Sequence, residues 1–147
     1  MYKRILLAYD GSEAGQKALL ECREIARWSH AELHLVAVMP AVAPILAIDG
    51  GILSQPDHEA IEREYARILD AGLTGLANLG YSARGEVVAG EPVAEIVRHA
   101  RKVGADLIVV GHQHQERWAA RWWRGFTSGS LIEHAPCSVL VVITNAS

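Results

Sequence analysis

Two patterns of apolar residues take turns along this chain, short unbroken runs and positions spaced by three to four. Ile5-Leu6-Leu7-Ala8 is a run bounded by Lys3-Arg4 before it and Asp10-Gly11-Ser12 after it, which predicts a strand buried on both faces. Ala14, Ala18, Leu19, Cys22, Ile25 and Ala26 then recur at the helical period. Ser12 or Asp10 can cap that helix, and Glu13 suits the positive end of its dipole. Ala31 to Met39 predicts a second strand ending at Pro40. From Pro40 to Pro56 the periodicity is lost, and three prolines with Gly50-Gly51 predict a long irregular loop. Ser54-Gln55-Pro56-Asp57 resembles a capping box, and Ile61, Tyr65, Ile68, Leu69, Leu73 and Leu76 predict a second amphipathic helix ending near Gly80.

The alternation continues to the end. Gly85 to Ala89 predicts a third strand, and Gly90-Glu91-Pro92 opens a helix with proline in the first turn, where its missing N–H costs nothing. The inner face of that helix is Val93, Ile96, Val97 and Ala100, and Gly104 closes it. Leu107 to Val110 is a fourth strand, a further helical stretch follows, and Val139 to Ile143 is the fifth strand. Strict βαβα order predicts an α/β fold with an open, doubly wound, five-stranded parallel sheet. Such sheets bind ligands outside the carboxyl ends of their strands, where strand order reverses. The positions that matter are therefore Ala8 to Ser12, Val38 to Pro40, Ala89 to Pro92 and Gly111 to Thr127.

Composition narrows the picture. At 147 residues the chain, 1–147, is expected to form one domain. Half the residues are apolar and 21% are charged, which is ordinary for a chain that folds throughout. A net charge of −3 argues against a nucleic-acid partner, because phosphate binding needs a basic surface. The short apolar run after Lys3-Arg4 is too small for a signal peptide, and no run reaches a membrane span, so a cytoplasmic protein without a membrane partner is expected. Cys22 and Cys137 lack metal or redox spacing and read as buried reduced thiols.

Ile5 to Ser12 (ILLAYDGS), Ala31 to Val38 (AELHLVAV), Gly90 to Val97 (GEPVAEIV), Ala105 to Gly111 (ADLIVVG) and His134 to Val142 (HAPCSVLVV) together resemble the universal stress protein family. The resemblance implies the Rossmann-like fold of adenine nucleotide hydrolases, an adenine nucleotide (AMP, ADP or ATP, with magnesium only alongside ATP) and a homodimer through Val139 to Ile143. It also implies a site in which Ala8 and Asp10 meet adenosine, Val38 touches adenine, Val110 belongs to the same set, and Gly111 to Gly125 enclose phosphates. The family's nucleotide-binding members follow the fourth strand with glycine, two residues, glycine, nine residues, glycine, and serine or threonine. Here Gly111 takes the first place, His114 stands in the second, ten residues separate it from Gly125, and Phe126 replaces the hydroxyl residue, with Thr127 and Ser128 directly after. An imidazole fills space that glycine leaves to phosphate, although an imidazolium can itself donate to an anion.

Asp10 has two readings, a ribose or cation ligand at the strand end or a helix cap. His112 and His114 would share one side of an extended segment, but a structural metal usually needs four ligands, and no metal site is expected. Glu116 to Arg124 (ERWAARWWR) mixes tryptophan with arginine at helical spacing. It reads as an amphipathic turn, as an anion contact through Arg121 or Arg124, or as a stacking surface. No nucleophile elbow, phosphate-binding P-loop or zinc motif appears, and no catalytic residue is nominated. The function expected is that of a non-catalytic, nucleotide-responsive stress protein acting through a protein partner. Its alternatives are an interaction module that has lost the nucleotide, and a weak ATP-hydrolysing enzyme.

Overall fold

The computed structural model describes residues 1–40, 58–114 and 128–145. The loop expected from Pro40 to Pro56, the capping box at Ser54 to Asp57 and the segment Glu116 to Arg124 lie outside the described residues, apart from Pro40 itself. The elements run β1 (Arg4–Ala8), α1 (Glu13–Ser29), β2 (Glu32–Met39), α2 (His58–Asn78), β3 (Ala83–Ala89), α3 (Pro92–Val103), β4 (Leu107–His114), α4 (Ser128–His134) and β5 (Ser138–Asn145). The strands form one five-stranded sheet in the order β3-β2-β1-β4-β5, with every neighbouring pair parallel.

Alternation along the strands divides the core into two layers. Ile5 and Leu7 of β1 and Leu33, Leu35, Ala37 and Met39 of β2 bury into one cluster with Ala18 and Cys22 of α1 and Leu69 and Leu76 of α2. Leu6, Ala8, Val36 and Val38 turn to the other face and join Val93, Ile96, Val97 and Ala100 of α3 and Leu131 of α4. Central strands covered on both faces need unbroken apolar runs, which is the pattern of β1 and of Leu107–Val110. The Asp106 carboxylate fixes the start of β1, accepting from the backbone N–H groups of Lys3 (2.8 Å) and Arg4 (3.0 Å).

The helix ends follow local chemistry. Ser12 caps α1, its hydroxyl oxygen accepting from the Gly15 N–H at 3.0 Å, and His30 closes the helix in the left-handed region at φ 59°. Gly104 closes α3 at φ 70°, where glycine avoids the clash a side chain would meet. Cys22 is buried and Cys137 half-buried; both are free and pack against opposite faces of the sheet. Burial holds the Cys22 thiol far above its ordinary range, so it stays protonated.

β4 departs from expectation in length. The apolar run ends at Val110, yet the strand continues through Gly111, His112, Gln113 and His114, paired with Val142, Ile143, Thr144 and Asn145. β1 stops pairing at Ala8↔Val110, so β4 and β5 run on beyond it as a two-stranded ribbon. Ladder hydrogen bonds from β5 keep the polar tail extended where composition alone would end the strand.

Candidate functional site at the carboxyl edge of the sheet

The chain moves outward from β1 through β2 to β3, then crosses over to β4 on the other side of β1. Strand order therefore reverses between β1 and β4, and the crevice outside their carboxyl ends is the ligand position for this architecture. Ala8 is in register with Val110 on one side and Val36 on the other, two residues before Val38. Ala8, Val38 and Val110 thus gather on the α3 and α4 face at this edge. Their exposures are 4%, 3% and 2%, so they form a filled apolar floor rather than open walls.

Asp10 stands at the mouth of the crevice and carries the turn into α1. Its Oδ1 accepts from the backbone N–H of Ser12 at 2.9 Å and from the Ser12 hydroxyl at 2.5 Å. Two glycines make this possible: Gly11 adopts φ 77°, and a Cβ on Gly15 would stand 2.6 Å from Asp10 Oδ1. The capping reading of Asp10 is therefore present in the structure, with one carboxylate oxygen committed to it. Tyr9, just before, is buried under Gly72, and its N–H donates to the Val36 carbonyl at 2.9 Å. Burial, helped by the neighbouring Asp10 carboxylate, raises the Tyr9 phenol above its ordinary value, so it stays neutral.

Gly111 lies inside β4 rather than opening a loop after it. A Cβ there would strike the Ala14 carbonyl and stand 2.5 Å from its carbon and 2.8 Å from the Gly15 nitrogen. The first turn of α1 thus needs a glycine at this point whether or not a phosphate ever approaches. The N-terminus of α3 faces the same edge and is filled by its own side chain: the Glu91 carboxylate accepts from Val93 N–H at 3.1 Å and Ala94 N–H at 2.8 Å. The preceding Gly90 N–H donates to the Met39 carbonyl at 2.9 Å, which ties that turn to the end of β2.

His114 is the last residue of β4, in register with Asn145, while Arg124, Gly125, Phe126 and Thr127 lie outside the described residues. Among the described residues no group of three or more His, Cys, Asp or Glu side chains is placed to hold a metal ion. Sequence reasoning did not assign roles to Gly15 and Glu91. For Glu91 the signal was partial: Pro92 marks the first turn, and a carboxylate beside a helix N-terminus is favoured by its dipole, although glutamate is not among the usual N-caps. Nothing local marks Gly15, whose role depends on where the Asp10 side chain lies.

Fold and strand order define an open, doubly wound α/β protein whose strand order reverses between β1 and β4. The model of the Universal stress protein family matches residues 1–142, and the chain belongs to that family. It is 29% identical over 148 residues to universal stress protein YxiE of Bacillus subtilis, covering 97% of this chain and 99% of that one. Among solved structures it is similar to universal stress protein UspA from Lactobacillus plantarum, with 27% identity, a TM-score of 0.72, and coverage of 96% and 97% of the two chains. It also shares its fold with the universal stress protein from Archaeoglobus fulgidus solved in complex with dAMP, at 20% identity, a TM-score of 0.64, and coverage of 96% and 98%.

Proposed function

We propose that this universal stress protein binds an adenine nucleotide in the β1/β4 crevice and acts in the cytoplasm, without catalysis, by engaging a protein partner as a homodimer. The observation that carries the reading is the gathering of Ala8, Val38 and Val110 beneath the crevice with Asp10 at its mouth. An apolar floor beside a carboxylate suits a flat base and a ribose hydroxyl, and the Archaeoglobus fulgidus relative is described in complex with dAMP. The absence of catalysis is supported by the duties of the nearest acids. Asp10 Oδ1 is held by Ser12 and the Glu91 carboxylate by α3, so each is occupied in a cap rather than poised beside a phosphate as a general base. Two free thiols on opposite faces of the sheet suit a reducing compartment.

Titration calorimetry with AMP, ADP and ATP, with and without magnesium and with GMP as control, tests the proposal. The expected result is saturable, adenine-selective binding, with AMP or ADP at least as tight as ATP because His114 takes the place of the second glycine. Absence of binding by all three adenine nucleotides would overturn it and leave a second reading, an interaction module that works without nucleotide. A specific observation favours that alternative. Gly111 is required by α1, and the N-termini of α1 and α3 are filled by Ser12 and Glu91, so three features that phosphate would use already serve the fold.

A further inference from the structure

A second concentration of chemistry lies where β2, β3 and α3 meet, away from the crevice. Among the described residues, the buried polar side chains are His34 on β2 and His99 on α3, exposed by 9% and 5%. Both border a cleft of ≈ 200 Å³ with Arg84, Gly85 and Glu86 of β3 and Val103 of α3. His34 is in register with Arg84 on one side and with the apolar Leu6 on the other. Its Nε2 is sealed from solvent without a hydrogen-bond partner, 3.5 Å from Glu32 Oε2. His99 Nδ1 stands 3.6 Å from Glu86 Oε2. Both separations exceed a good hydrogen bond.

The two carboxylates already hold cations. Arg4 Nε lies 3.5 Å from Glu32 Oε2, and Lys102 Nζ lies 3.0 Å from Glu86 Oε2. A proton arriving on either imidazole would therefore compete for an occupied acceptor, with Arg84 on β3 and Arg98 and Lys102 on α3 adding positive charge around it. Burial, opposed by Glu86 and reinforced by Lys102, His34 and Arg98, keeps the His99 imidazolium disfavoured relative to an exposed histidine.

We propose that His99, packed beside His34, is a proton-operated latch: while it is neutral, edge strand β3 and the second half of α3 stay packed against β2, and a proton on His99 loosens that edge. β3 has β2 as its one neighbour in the sheet, so its release does not require the strands beyond β2 to part. The sign follows from linkage. A histidine whose folded pKa lies below its open-state value contributes stability that is present above the ordinary value of 6.5 and is lost as pH falls below it.

Hydrogen exchange on the full-length protein at about pH 7.5 and about pH 5.5, corrected for intrinsic rates, reads the latch directly. Protection of the Ala83–Ala89 amides should fall several-fold more than that of Ile5–Ala8, by at most about tenfold per pH unit for each proton taken up. His99→Gln should remove most of that difference. If His99→Gln does not fold, NMR titration of the wild type and His34→Gln decides. His99 should titrate below 6.5, and its midpoint should rise when His34 is replaced. An equal loss of protection in β3 and β1, or a His99 midpoint at or above the ordinary value, would overturn the proposal.

Discussion

Gly111 has two possible explanations, a phosphate approaching its backbone or a helix packed against it, and only the second can be read from distances. The first turn of α1 crosses β4 so closely that a methyl group at position 111 would meet backbone atoms of Ala14 and Gly15, which cannot rotate away. Gly111→Ala is expected to destabilise the protein by about 1–3 kcal/mol, the usual cost of overpacking a tight site. The urea midpoint should fall with the slope of the transition unchanged. Gly80→Ala is the control: nothing lies within 4 Å of a Cβ there, so only the positive φ of 90° is strained, at a cost of about 1–2 kcal/mol. A Gly111→Ala protein as stable as wild type would return the glycine to the phosphate explanation.

At the scale of elements, α3 is the best-specified piece of the chain. Glu91 caps it, Pro92 starts it, Val93, Ile96, Val97 and Ala100 face the sheet, and Gly104 ends it, so each local signal agrees with the others. Glu91→Ala removes the acceptor for two backbone N–H groups and should cost about 0.5–2 kcal/mol by thermal or urea unfolding. Glu91→Asp, with a short carboxylate suited to capping, should recover much of it. The same comparison shows what sequence can and cannot carry. β1, β2 and the apolar part of β4 are legible because burial on both faces demands continuous Val, Ile and Leu. The tail Gly111–His114 is illegible because its extended form is imposed by β5 rather than by its own residues. The early start of β3 at Ala83 has the same cause, since Ala83 and Arg84 are held by Leu33 and His34. The Ala8, Val38 and Val110 floor was readable from the fold rule and the family resemblance. The meeting of His34 with His99 was not, because it needs both the strand register and the rotation of α3.

At the scale of the whole molecule, the sheet ends in two edges of different character. β3 carries the exposed charged side chains Arg84 and Glu86, which discourage further pairing along that edge. β5 is made of Val139, Leu140, Val141, Val142 and Ile143, with Ile143 44% exposed, and it pairs with β4 on one side. An apolar edge of this kind templates aggregation unless something pairs with it, and a second copy related by a two-fold axis satisfies it with identical chemistry on both sides. We therefore propose a homodimer through β5. Light scattering at about 10–100 µM is expected to give twice the mass of one chain. Ile143→Lys should shift the protein toward monomer, since like charges would face each other across the axis, and by mass action it should make unfolding less dependent on protein concentration. Lys17 Nζ already donates to the Ile143 carbonyl at 3.2 Å, so circular dichroism should confirm that the variant keeps its secondary structure before the mass is interpreted. A monomeric wild type at the higher concentration would overturn the dimer, a dimer untouched by both Ile143→Lys and Val141→Lys would place the contact elsewhere, and either result would leave β5 an uncovered edge.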